Sequence, residues 1–187
     1  VVKKRDRELT FVVLFSFNEY RNLMFWVMEE IMAIEIERKF LVNQEAWAQL
    51  ADKGEGKYYA QAYIHADPNK SIRIRISEGT AILAIKGSLT NLSRLEFEYE
   101  IPLDEAEMIM KSLCGAAVVK RRYIIHHTSM TWEVDVFEGE NEGLIIAEIE
   151  LEAEDQFLNL PPWVQEEVTD DPRYLNANLS KKPYATW

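Results

Sequence analysis

The chain has 187 residues, 48% of them hydrophobic and 28% charged, enough for one sizeable domain with a full core. Its net charge of −11 excludes nucleic acid as a bulk partner, because phosphate-backbone affinity rests on an excess of Lys and Arg. Cys114 is the sole cysteine, which excludes an internal disulfide and points to a reducing, cytoplasmic setting.

Residues 1–31 read as an N-terminal extension outside the domain, which is expected to span residues 32–187 from Met32. Lys3, Lys4, Arg5 and Arg7 precede an apolar run from Leu9 to Phe17, superficially like a secretory leader. That run is about half the ~20 residues a membrane span needs, so no membrane partner is expected.

From residue 33 onward period-two alternation dominates, and it predicts strands at 33–42, 57–65, 71–78, 80–87, 94–101, 117–127, 130–138 and 144–152. Short connections at Glu78-Gly79 and His127-Thr128-Ser129 imply antiparallel hairpins. Asn43 should cap a helix over Gln44 to Asp52, and Asp104 with Glu107 should form a capping box opening a helix to Leu113. After Glu152, prolines punctuate short helical stretches that form a C-terminal cap, with Trp163, Tyr174, Leu175 and Leu179 as anchors. The fold class is therefore α+β, mainly β: an eight-stranded antiparallel closed tunnel barrel flanked by helices.

Like charges recur at every second residue. In a strand such neighbours share a face about 7 Å apart, so each run repels itself and calls for a stabilising ligand. One face carries Glu35, Glu37, Lys39, Tyr59, Arg73, Arg75, Lys86, Arg94, Glu96, Glu98, Glu100, Lys120, Arg122, Glu133, Asp135, Glu148 and Glu150; the other is apolar. The apolar face is too large to stay wet, so the charges line the lumen, while helices and the C-terminal region cover much of the outside. The bases suit a polyanion, since guanidinium forks and ammonium groups match phosphate oxygens. The carboxylates suit a hard cation, Mg²⁺ or Mn²⁺, because no His pair or second Cys accompanies them. Phosphate and metal in one tunnel mean phosphoryl chemistry, or at least binding of a metal-polyphosphate complex. His65, His126 and His127 are scattered, and they are expected to be structural or surface residues.

Glu35-Ile36-Glu37-Arg38-Lys39 resembles the ExExK strand of the CYTH superfamily, the triphosphate tunnel metalloenzymes. The resemblance continues through Arg73-x-Arg75, Lys86, Arg94-x-Glu96-x-Glu98, Lys120-x-Arg122, Trp132-x-x-Asp135 and Glu148-x-Glu150, and the tail with Glu167-Val168-Thr169 is similar to short bacterial members. It implies a metal-dependent phosphohydrolase acting on a small-molecule triphosphate, with inorganic triphosphate the first choice. It further implies that Lys39, Arg73, Arg75, Lys86, Lys120 and Arg122 grip the phosphates, with Arg94 close by. Glu96, Glu98, Glu148 and Glu150 would hold the metal; Glu35 and Glu37 would bind or orient a second metal and the attacking water. Tyr59 lies on the same face and is grouped with the substrate-binding residues. The alternatives are a class IV-type adenylate cyclase and a noncatalytic polyphosphate-binding module. A homodimer is compatible with this reading.

Overall fold

The computed structural model describes residues 34–89 and 93–187. The expected extension at residues 1–31 lies outside them. Eight strands alternate as anticipated: β1 (Ile34–Val42), β2 (Lys57–Ala66), β3 (Lys70–Ser77), β4 (Thr80–Ser88), β5 (Ser93–Ile101), β6 (Val118–His127), β7 (Met130–Glu138) and β8 (Ile145–Glu150). They pair in the order β5-β4-β3-β2-β6-β7-β8-β1, and β1 pairs β5 to close the barrel. Among the described residues all pairings are antiparallel, and closure leaves no long strand with an unpaired edge. The tight β3–β4 turn places Glu78 and Gly79 at φ 47° and 83°, the left-handed pair that a two-residue hairpin needs.

A ninth strand, β9 (Val164–Glu167), adds to β1. It pairs at Phe40 and Val42, and just beyond it Val168 N–H donates to the Lys39 carbonyl at 2.8 Å. Thr169 Oγ1 accepts from the Lys39 N–H at 3.0 Å. The C-terminal region thus pins the backbone of a residue that faces the lumen.

Helix α1 (Gln44–Gln49) is capped as expected, with Asn43 Oδ1 accepting from Ala46 N–H at 2.9 Å. It stops three residues short of Asp52 because Leu50 turns to extended backbone. Helix α2 (Leu103–Leu113) begins two residues earlier than the capping box requires, since the Pro102 carbonyl already accepts from Ala106 N–H. Asp104 therefore sits in the first turn and makes no side-chain cap bond. There it complements the positive end of the helix dipole together with Glu105. A short helix, α3 (Asn176–Leu179), lies in the C-terminal region.

Among the described residues three apolar clusters hold the barrel. On the outside of β1, β7 and β8, Phe40, Trp132, Val134, Ala147 and Ile149 pack against Trp47 of α1 and Trp163. Trp132 is edge-on to Phe40 and to Trp163, each at 5.7 Å between ring centroids. Outside β3 and β4, Ile74 and Ala81 are covered by Ala106 of α2. The third cluster joins Val118, Phe137, Leu144 and Ile146 to Leu179 of α3, with Leu41, Tyr174 and Tyr184 packed around it. Leu41, Val118, Phe137 and Ile146 share the alternation phase of Lys39, Lys120, Asp135 and Glu148. One end of the lumen is therefore apolar and plugged, where a charged lumen throughout was expected. Covering of the outer face is also incomplete: Ile85, Phe97 and Tyr99 stay 39%, 41% and 53% exposed. Among the described residues no helix is long and apolar enough to cross a membrane.

Candidate active site

Strand alternation carries the charged side chains into one cavity of about 560 Å³. Glu35, Glu37 and Lys39 enter from β1, Tyr59 from β2, Arg73 and Arg75 from β3, Lys86 from β4, and Arg94, Glu96 and Glu98 from β5. Lys120 and Arg122 enter from β6, Glu133 from β7, and Glu148 and Glu150 from β8. Every residue proposed above for phosphate, water or metal lies on this one lining. Of the remaining charged-face residues, Glu100 is exposed and outside the lining, and Asp135 points inward but is fully buried and absent from the lining.

The self-repulsion of like-charge runs is relieved across strands, without a ligand. Lys39 Nζ lies 2.5 Å from Glu148 and 3.0 Å from Glu37. Lys86 Nζ lies 2.5 Å from Glu35 and 3.0 Å from Glu96. Arg73 reaches Glu96 at 3.3 Å, Arg75 reaches Glu98 at 3.1 Å and Arg94 reaches Glu37 at 3.5 Å. Arg122 is shared among Asp135, Glu148 and Glu133, and Lys120 donates to Asp135. Lys39 faces Glu148, Lys86 faces Glu96 and Arg122 faces Asp135 in the strand register, so barrel topology makes these pairs.

The lattice is not neutral everywhere. Burial pushes Glu148 up, yet Lys39, Arg122 and Lys120 hold its carboxyl well below the usual range. Glu35 moves up through burial and the neighbouring Glu37, in spite of Lys86. Glu150 moves up through burial and then Glu35, Glu96 and Glu37, and it forms no ion pair with a described residue. Burial and Arg122 lower the Lys120 ammonium. Unrelieved negative charge thus gathers at Glu35 and Glu150, where a hard dication would be stabilised, whereas burial pushes Glu37 up but Lys39, Lys86 and Arg94 hold it below the usual range. No three His, Cys, Asp or Glu side chains among the described residues form a ready-made metal cage. The donor set still fits such an ion, because phosphate oxygens of a bound ligand would complete its shell.

The anion side has its own open valence. Arg73 Nε is buried with no hydrogen-bond partner. Nine Lys and Arg and eight carboxylates among the described residues line the cavity, so it escapes the acidity of the chain as a whole and can admit a polyanion.

Several lining residues give no signal in the charge pattern. Gln61 and Tyr63 follow Tyr59 at period two on β2 and face the same lumen, but they carry no charge to mark them. Gln61 Nε2 donates to Tyr63 Oη at 3.3 Å, and burial raises the Tyr63 phenol against the pull of Arg73 and Lys39. Tyr59 is sandwiched between cations, with the Arg75 and Arg122 guanidinium carbons each 5.8 Å from its ring centre. Leu175, Asn176, Asn178 and Lys181 also line the cavity, and Lys181 Nζ ties this segment to the Ala66 carbonyl at 3.0 Å.

A closed antiparallel barrel with acids and bases interlocked in its lumen defines a tunnel-barrel class of protein. The chain belongs to the CYTH domain family, whose pattern matches residues 33–184. It is 49% identical over 154 residues to an inorganic triphosphatase of Acetivibrio thermocellus, covering 82% of this chain and 97% of that protein. An inorganic triphosphatase of Nitrosomonas europaea is 36% identical over 154 residues, covering 78% and 96%. The crystal structure of an inorganic triphosphatase superposes with a TM-score of 0.57 at 32% identity, covering 78% of this chain and 93% of that one. A putative adenylate cyclase from Bacillus halodurans shares the fold at a TM-score of 0.53 and 17% identity.

Proposed function

We propose that this chain is a divalent-metal-dependent triphosphatase that hydrolyses inorganic triphosphate to pyrophosphate and phosphate. The observation that carries the reading is the convergence of basic and acidic side chains from seven of the eight barrel strands, with Tyr59 of β2 among them, on one cavity, in a chain whose similar relatives are named inorganic triphosphatases.

Lys39, Arg73, Arg75, Lys86, Lys120 and Arg122 bind the phosphate oxygens, with Arg94 and Tyr59 at their side. Glu35, Glu37, Glu96, Glu98, Glu148 and Glu150 are the carboxylates that would hold Mg²⁺ or Mn²⁺. When bound, the cation would neutralise phosphate charge and acidify a coordinated water. Glu35 and Glu37 orient the attacking water in line with the terminal phosphorus. The fixed cations stabilise the charge of the phosphoryl group in transfer, and pyrophosphate leaves without a covalent enzyme intermediate. Lone Cys114 supports a reducing compartment, the cytoplasm.

A substrate panel tests the reading: inorganic triphosphate, ATP, thiamine triphosphate and longer polyphosphate, each with Mg²⁺ or Mn²⁺. Inorganic triphosphate should give the highest kcat/KM. Cyclic AMP from ATP would transfer the same tunnel to the cyclase reading, and tight triphosphate binding without turnover would make it a binding module.

A further inference from the structure

We propose that Asp135 is a positioning residue for triphosphate, a fully buried carboxylate on the inward face of β7 that locks Lys120 and Arg122 into one rigid pair. The inference rests on the triphosphatase reading and adds to it a residue that meets no substrate.

Asp135 is 0% exposed, and it does not line the cavity. It stands directly opposite Arg122 in the β6–β7 register. Its Oδ1 accepts from Arg122 Nε and its Oδ2 from Arg122 Nη2, both at 2.7 Å, while Lys120 Nζ also donates to Oδ2. The fork therefore fixes the guanidinium plane, and the shared oxygen brings the ammonium alongside it. Arg122 has further acceptors in Glu133 and Glu148; Lys120 forms no ion pair with any other described residue. Lys120 itself is only 2% exposed, with its Nζ 5.6 Å from the Phe137 ring centre. Without Asp135 two buried like charges would share one wall, with nothing to hold the lysine stem in a single rotamer. Buried ion groups seldom stabilise a fold more than well-packed apolar residues do, so this carboxylate is explained by the geometry it imposes.

The test is a double-mutant cycle on inorganic triphosphate turnover, with Asp135→Asn, Lys120→Ala and the double variant, each corrected for folded fraction by near-UV circular dichroism. Asp135→Asn should raise KM about tenfold and lower kcat/KM about 100-fold in the parental background. In the Lys120→Ala background the same change should cost at most about tenfold, because the residue acts through the cations it holds. Equal losses in both backgrounds, or an unchanged KM with activity lost only in proportion to unfolded protein, would overturn the proposal. If Asp135→Asn does not fold, Asp135→Glu decides: it keeps the charge and displaces both cations by a methylene, so KM should again rise, and a parental KM refutes the role. A parental chain that binds triphosphate without hydrolysing it would sink the triphosphatase reading alone, and the cycle is then read from calorimetric Kd values.

Discussion

The two walls of the tunnel are built differently. In the β6–β7–β8–β1 wall, Lys39 and Lys120 are 5% and 2% exposed, and the outer face is sealed by the Trp47, Trp132 and Trp163 cluster. In the β3–β4–β5 wall, Arg75 keeps 24% and Glu98 36% of its side chain in contact with solvent, and the exposed Ile85, Phe97 and Tyr99 lie outside. Side chains as buried as Lys39 and Lys120 are held rigidly in a low dielectric, where each interaction is strong, although Glu133 of the same wall keeps 41% of its side chain in solvent and Arg73 and Lys86 of the other only 11%. Strands open to water hold charges that can adapt to a ligand, at lower individual worth. The first wall should set the chemistry, and the second should tune binding.

The largest expected effect is kinetic. Lys39→Ala should lower kcat for inorganic triphosphate by about 10³-fold with the fold intact, whereas Arg75→Ala should cost about tenfold, mostly in KM. Comparable losses from both variants would erase the distinction between the walls. Stability follows the same division. Denaturant unfolding should show Trp132→Ala costing about 3–5 kcal/mol and Phe97→Ala under about 1 kcal/mol.

Glu148 sharpens the comparison through pH. Its native carboxyl is held below the unfolded value of about 4.3, so its contribution is complete above that pH and is lost as pH falls through the native value. Glu148→Gln should be less stable at neutral pH and should lack part of the acid-side decline below about pH 4, while requiring more metal for half-maximal turnover. The smallest effect concerns Glu150, which is crowded by carboxylates. Glu150→Gln should raise the metal-free Tm by about 1–2 °C and weaken the response to Mg²⁺.

Much of this was legible in the chain because period-two alternation is a local signal. It marked eight strands to within one residue, except at the end of β8, which stops two residues early, and it put Glu35, Arg73, Glu96, Lys120 and Glu148 on one face. Which acid meets which base was not legible, since that depends on register between strands distant in sequence, as with Lys39 opposite Glu148. Four-residue β9 was too short to alternate detectably. Tyr63 and Gln61 lacked a charge to single them out. The apolar plug was foreshadowed by Leu41, Val118, Phe137 and Ile146, which continue the inward phase after the charges end; recognising it required knowing that Leu179 returns to cover them.

Phosphorus NMR of the purified chain with inorganic triphosphate, before and after Mg²⁺ addition, tests the central claim most directly. The account predicts that pyrophosphate and phosphate appear in equal amounts only once the cation is present, and that Lys39→Ala abolishes both signals. Unchanged triphosphate under all conditions, or turnover by Lys39→Ala at the parental rate, would contradict it.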